Sequence, residues 1–299
     1  MNGFIVINKL LGQRCTSLVN QASWLTKTKF GHGGTLDSTA QGLVLLLAGK
    51  GTRLTETAMD WPKTYRAQVR LGFETTTDDA SGEALSLPCD TSHVTLRQVS
   101  LALHRQLGWV AQEPPQISAL RVDGQRAHQR ARQGQQVLFK PRFVQNISFR
   151  SLEMKGDEVS FEVTCHRGGY IRSIARQLGR QLGVGGHLTS LERLTLGPLS
   201  LEGALSGADM TEKSLVQFLR PLDEFARLLP HVEANADVGK RLLAGLPQWF
   251  HSLNRVQFGR YPSKTLALIC PQVISLCEVC KIEGKWCVRA KANLGRDEA

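Results

Sequence analysis

Three glycines fall within four residues at Gly31, Gly33 and Gly34, inside the stretch Phe30-Gly31-His32-Gly33-Gly34-Thr35-Leu36-Asp37. A backbone so free of Cβ atoms can take turns that other residues cannot. The apolar run Leu43-Val44-Leu45-Leu46-Leu47-Ala48 follows almost at once and has the length of a buried strand. The chain is therefore expected to hold His32 and Asp37 on a tight loop at the edge of a core. A carboxylate placed there suits a nucleophile or base. It equally suits an Asx turn or helix cap, because Asp satisfies nearby backbone N–H groups. Spacing leaves both roles open.

Two further stretches carry chemistry-bearing side chains in a readable pattern. From Lys63 the chain alternates, with Tyr65, Ala67, Val69 and Leu71 on one side and Arg66, Gln68 and Arg70 on the other. That is a strand with one wet, basic face. Between Tyr170 and Leu182 the residues Ile171, Ile174, Leu178 and Leu182 recur at helical spacing, opposite Arg172, Arg176 and Arg180. Arg172 falls in the first turn, where the helix dipole disfavours a cation unless an anion faces it. Arg172 is thus the functional candidate, and Arg176 and Arg180 read as solvated. Thr95 with Gln98 three residues on predicts a capping box, with a helix over Leu96, Val99, Leu103 and Leu107 that Gly108 stops. A first strand is expected through Lys9, a turn over Gly12, Thr16 and Ser17, and a helix from Val19. Residues 84–94 read as irregular. The stretch Glu113-Pro114-Pro115 reads as an extended loop, leading to a strand and a turn at Asp123-Gly124. Arg121, Arg126, Arg130 and Arg132 then form a basic cluster suited to a solvated face or to phosphate.

A length of 299 residues allows one large domain and a small one. The formal net charge of +11 and pI near 9.6 suit a polyanionic partner, nucleic acid first. No apolar run reaches the roughly 18 residues of a membrane span. The N-terminal residues lack the basic start and cleavage site of a signal peptide, so the cytoplasm is expected. The seven cysteines are expected as free thiols. Cys277 and Cys280 make one C-x-x-C flanked by Cys270 and Cys287, which fits buried strand cysteines better than zinc, since a second close pair is missing. After about residue 230, short apolar segments and a hairpin signal at Ile282-Glu283-Gly284-Lys285-Trp286 predict a small β-rich domain.

The glycine-rich stretch resembles the catalytic loop G-H-T-G-T-L-D-P of the TruB-type pseudouridine synthases, with Gly33 in place of Thr and Ser38 in place of Pro. Lys63-Thr64-Tyr65 resembles that family's K-x-Y strand. Thr75-Thr76-Thr77-Asp78-Asp79-Ala80-Ser81-Gly82 resembles T-D-T-x-D-x-x-G, with Thr76 where Asp is usual, and is expected as a hairpin or loop. Residues 112–126 resemble Q-x-P-P-x-x-S-A-x-K-x-x-G-x-R, with Arg121 for the Lys. A Y-x-x-A-R-x-G pattern follows, with His128 for the Tyr. Gly168 to Arg193 resembles G-x-Y-I-R-S-[LI]-A-R-D-L-G followed by L-G-x-G-A-H-L-x-x-L-R-R, with Glu192 for the first basic residue of the final pair.

The resemblance covers roughly residues 3–198. It implies an α+β pseudouridine-synthase fold, a mixed and largely antiparallel sheet with flanking helices. It divides the chain into a catalytic domain over 1–222 and a PUA-like RNA-binding domain over 223–299. It implies isomerisation of uridine 55 in the T-loop of tRNA, with Asp37 as the catalytic residue, Tyr65 stacked on the base and Arg172 paired with Asp37. Leu191 would pack on the uracil, His32 would fill the space it leaves, and Lys63, Tyr170 and Arg121 would line the substrate site. No cofactor and no metal is implied. The partner is the tRNA T-stem and T-loop, bound by a monomer without membrane or protein partner. The rival from a different class is a non-catalytic RNA-binding or tRNA-folding protein, which would not need Asp37. A guide-RNA-dependent relative would carry longer basic tails. A carboxylate-dependent hydrolase lacks its motifs here.

Overall fold

The computed structural model describes residues 1–116, 121–122, 125–126, 139–249, 253, 256–257 and 263–295. They form two compact units, one of residues 1–61 with 195–299 and the other of residues 62–194. Among the described residues no helix is long and apolar enough to cross a membrane.

The chain begins with strand β1, Gly3–Lys9, whose Phe4, Ile5 and Ile7 are wholly buried. Helix α1 spans Cys15–Thr26, starting four residues before the expected Val19, and its N-cap Arg14 makes no side-chain cap. The helix thus starts without the capping residue that would have marked it in the sequence. Strands β2, Phe30–His32, and β3, Gln41–Ala48, follow. β3 pairs antiparallel with β1 over its length and with β2 at Leu46–Ala48. Buried on both faces from Leu43 to Ala48, β3 reads as a continuous apolar run for that reason. A 3₁₀ turn at Gly49–Leu54 and the short helix α2, Thr55–Asp60, complete this part.

The second unit opens with β4, Lys63–Leu71, where Tyr65, Ala67, Val69 and Leu71 are buried as the alternation requires. Its other face is wet but not net basic. Arg66 pairs with Glu162 at 3.0 Å and with Glu192 at 3.6 Å, and Arg70 with Glu158 at 2.7 Å and Asp157 at 3.6 Å. Helix α3 spans Leu96–His104 with the expected Thr95–Gln98 capping box. It ends before Leu107. Strands β5, Gly108–Gln112, β6, Arg121–Val122, β7, Gln125–Arg126, β8, Arg142–Lys155, and β9, Glu158–Cys165, follow. Helix α4 runs Ile171–Gln181 and strand β10 Gly186–Leu196. The strand order in this unit is β10-β4-β9-β8-β5, and α4 packs against β4. The turn at Asp123-Gly124 lies outside the described residues.

At Gly179 the helix meets the following loop directly. A Cβ there would lie 2.1 Å from the carbonyl carbon of Gly185 and 2.2 Å from the nitrogen of Gly186. Both neighbours are backbone and cannot swing aside. Gly179→Ala is expected to lower the stability of the protein by about 3 kcal/mol, read from urea unfolding. An unchanged midpoint would show that the helix-to-loop contact is looser than described.

Beyond β10 the chain returns to the first unit. β11, Leu199–Ser200, pairs with the end of β10, and β12, Leu205–Ser206, lies parallel to β1. Helices α5, Glu212–Gln217, and α6, Leu222–Leu228, lead to a five-stranded sheet. That sheet contains β13, His231–Glu233, β14, Gln248–Trp249, β15, Leu266–Ile269, β16, Val273–Ile282, and β17, Lys285–Gly295, in the order β13-β15-β16-β17-β14. Helix α7, Ala236–Leu243, precedes β14. The turn between β16 and β17 has Glu283 and Gly284 at positive φ, 48° and 79°, the geometry a two-residue hairpin demands. Ala267, Ile269, Ile274, Leu276 and Leu294 of this sheet share one core with Phe4, Leu45, Leu47, Trp61 and Phe225. Trp61 stacks on Phe225 at 4.9 Å, and Phe4 meets Phe225 edge-on at 5.3 Å. The α+β class, with mixed but largely antiparallel sheets and a β-rich C-terminal sheet, is therefore as expected. All seven cysteines are free thiols. Cys270, Cys277 and Cys287 are buried, the sulfurs of Cys280 and Cys287 lie 2.9 Å apart, and burial pushes the Cys277 thiol up to about 12.

Candidate active site

In the first unit the glycine-rich stretch begins as β2 and continues its ladder one step further, with Gly33 N donating to Leu45 O at 2.9 Å. A Cβ at Gly33 would meet Leu45 Cδ2 at 2.9 Å and Ala58 Cβ at 3.1 Å, so the glycine lets the loop seat against β3 and α2. Gly34 then turns with φ of +130°, open to glycine almost alone. The half-buried His32 accepts from Gly34 N through Nδ1 at 3.3 Å, which leaves the proton of a neutral ring on Nε2.

Either side of Asp37 the chain is clamped. Leu36 is buried, its N–H donates to Cys15 Sγ at 3.2 Å and its carbonyl accepts from that thiol at 3.4 Å. Ala40 N donates to Asp37 O at 3.1 Å and Gly12 N to Ser38 O at 2.8 Å. Lys9, wholly buried at the end of β1, donates to Ala40 O at 2.5 Å and Leu10 O at 3.0 Å. Asp37 thus sits, half-buried, on a turn whose backbone these bonds hold on either side. Sequence reasoning did not single out Lys9. A lysine closing an apolar strand was the available signal, since its burial demands carbonyl partners.

In the second unit Tyr65 lies on the buried face of β4, 8% exposed and opposite Val163 of β9. Lys63, also buried, stands two residues before it on the same face and opposite Cys165. Burial pushes the Cys165 thiol up to about 11, against the opposing charges of Lys63 and Arg193. Leu191 is buried on β10. The two residues after it diverge, Arg193 being buried and Glu192 reaching Arg66.

Tyr170 is the N-cap residue of α4, and its N–H donates to Gln112 Oε1 at 3.0 Å. Arg172, in the first turn, is 6% exposed. Its Nη1 donates to Thr77 O at 3.3 Å, and its Nε lies 4.0 Å from Asp79 Oδ2. The anion that a first-turn cation calls for is therefore present within this unit. Asp79 is itself held by Thr77 Oγ1 at 2.6 Å, Ser81 N at 3.0 Å and Ser81 Oγ at 2.5 Å. Burial pushes its carboxyl up, but these hydrogen bonds and Arg172 outweigh it and leave Asp79 below the usual range.

The expectation of solvation is corrected for Arg176, while Arg180 is exposed as expected. Arg176 is buried, ion-paired with Asp78 and donating to Glu113 O at 2.7 Å. Arg180 makes a two-armed pair with Glu74 at 2.7 and 2.8 Å. Helical spacing put the three arginines on one side correctly. Their partners come from the loop after β4, which no local pattern connects to α4. Around Asp78 burial is the larger effect and raises the carboxyl, against the pull of Arg176 and Arg172. The side chain of Arg121, and His128, Arg130 and Arg132 entirely, lie outside the described residues.

Comparison with known proteins supplies the deciding observation. Residues 23–171 match the model for the TruB family pseudouridylate synthase (N terminal domain). A tRNA pseudouridine synthase B of Cereibacter sphaeroides is 36% identical over 254 residues, 83% of each chain. The chain belongs to the TruB family of pseudouridine synthases. Other relatives of the same name include one from Ruegeria pomeroyi, 37% identical over 254 residues and 83% of each chain. One from Corynebacterium efficiens is 36% identical over 250 residues, 82% of this chain and 83% of that one. Among solved structures, a chain of the archaeal box H/ACA sRNP Nop10–Cbf5 complex aligns with a TM-score of 0.71 at 18% identity. That alignment covers 99% of this chain and 87% of the other. A chain of an H/ACA RNP bound to a substrate RNA containing 2′-deoxyuridine gives 0.71 at 18% identity, covering 99% and 85%. At these identities the likeness is one of fold.

Proposed function

We propose that this TruB-family chain isomerises uridine 55 in the T-loop of tRNA to pseudouridine. The support is the combination it carries: a carboxylate on a clamped glycine-rich turn, a buried tyrosine on β4 and a buried guanidinium opening α4. The names of its relatives supply tRNA as the substrate class. The reaction breaks the N-glycosidic bond, turns the uracil and joins C5 to the ribose, with the C5 proton released and N1 taking one up. The target base must leave its stack, at a cost of a few kcal/mol. Asp37 acts as the nucleophile, Tyr65 stacks on the uracil and Arg172 holds Asp37 as its anion. His32 occupies the space the base vacates, Leu191 packs on the ring, and Lys63, Tyr170 and Arg121 complete the substrate contacts. Residues 1–222 make up the catalytic domain and 223–299 a PUA-like module that adds RNA contacts.

Tritium release from a tRNA transcript labelled at uridine C5 tests the reaction. Release is expected from the ordinary transcript and none from one with cytidine at position 55. Release from both would move the target elsewhere.

The net charge of +11 should make RNA affinity fall steeply with salt, with a log–log slope on the order of −4 for about five phosphate contacts. Arg66 and Arg70, already paired with Glu162, Glu192, Glu158 and Asp157, should contribute nothing to that slope. Filter binding of Arg66→Ala and Arg70→Ala across a salt series checks this. A shallower slope in either variant would place RNA on that face.

A further inference from the structure

The loop after β4 is gripped by α4 at three successive residues. Arg172 takes the Thr77 carbonyl and faces the Asp79 carboxylate. Between these two contacts lies Asp78, and it is held by a different arginine one turn further along the helix. Its carboxylate pairs with Arg176, both side chains being 8% exposed. The second arm of Arg176 donates to Glu113 O at 2.7 Å, in the loop leading out of β5. Ser173 Oγ donates to that same carbonyl at 2.8 Å. The Asp78 backbone is fixed as well. Its N–H donates to Thr75 O at 3.2 Å and its carbonyl accepts from Leu188 N at 3.0 Å. Its φ is +59°, a left-handed conformation that Asp and Asn tolerate better than other side chains.

We infer that Asp78 is a positioning residue for the reaction: through Arg176 it fixes residues 77–79 against α4, and thereby the guanidinium of Arg172. The resembled family pattern has acids at the places of Thr76 and Asp79 and leaves position 78 open. This chain carries an acid there as well. At position 78 it sits between the two groups that Arg172 touches, and a shift of either group would turn the guanidinium. The inference rests on the reading that Arg172 serves the catalytic carboxylate.

The test uses the full chain and an unmodified tRNA transcript. Asp78→Gly keeps the backbone conformation and removes the carboxylate. It is expected to lower the single-turnover rate at saturating RNA at least tenfold, with RNA affinity within threefold of wild type. Asp78→Asn, which keeps both the backbone preference and an oxygen for Arg176, should recover part of that rate. Because Asp78→Gly leaves Arg176 buried without its acid, all rates are taken well below the measured melting midpoints. The double variant Asp78→Gly/Arg176→Met removes the orphaned cation and should regain melting temperature but not rate. A rate within twofold of wild type in Asp78→Gly, or a rate returning with stability in the double variant, would overturn the inference. A wild-type protein that forms no pseudouridine in the same experiment would instead count against the functional reading beneath it.

Discussion

Asp37→Asn is expected to abolish turnover, lowering the single-turnover rate by roughly a thousandfold or more, about 4 kcal/mol of transition-state free energy. The amide keeps the size and shape of the side chain but supplies no anionic nucleophile. The loop should survive, because the bonds that fix it come from its neighbours and its backbone. Leu36 is held by Cys15, Ala40 by the Asp37 carbonyl and by Lys9, and Ser38 by Gly12. RNA affinity in the variant should therefore stay within a few fold of wild type. Single-turnover kinetics beside filter binding separates the two quantities, and a variant with undiminished rate would remove Asp37 from the chemistry.

Arg172→Lys carries the second large effect, a rate loss of about a hundredfold, or about 2.7 kcal/mol. The two side chains share a charge and little else at this site. Arg172 is buried and spreads its donors between the Thr77 carbonyl and the Asp79 carboxylate. A lysine presents one point charge and cannot span both while also serving a third group. The loss should appear in the rate at saturating RNA rather than in affinity. Equal rates would mean that only the charge at this position matters.

What the sequence made legible follows from how local its causes are. Tyr65, Ala67, Val69 and Leu71 are buried because a strand alternates, whatever surrounds it. The Thr95–Gln98 capping box forms from four consecutive residues. The start of α4 at Ile171 follows from Gly168-Gly169 and the apolar spacing behind them.

The misses share the opposite cause. Arg66 and Arg70 looked like a basic face, yet the acids that neutralise them stand on β9, on β10 and at the turn into β9. Arg176 looked solvated, yet Asp78 reaches it across about a hundred residues of chain. Helix α3 stopped at His104 because the chain must turn into β5, so Leu107 fell outside a stripe it seemed to continue. Of the candidate site, the residue types were visible in the motifs. The carbonyls and carboxylates that orient them, at Ala40, Thr77 and Asp79, were not.

The most direct test of the central claim is to map pseudouridine in an unmodified tRNA transcript after incubation with the wild-type protein, by carbodiimide adduct and primer extension. One enzyme-dependent stop is expected, at the T-loop uridine 55. Tight RNA binding with no stop anywhere would contradict it and would make the protein an RNA binder that does no chemistry on its partner.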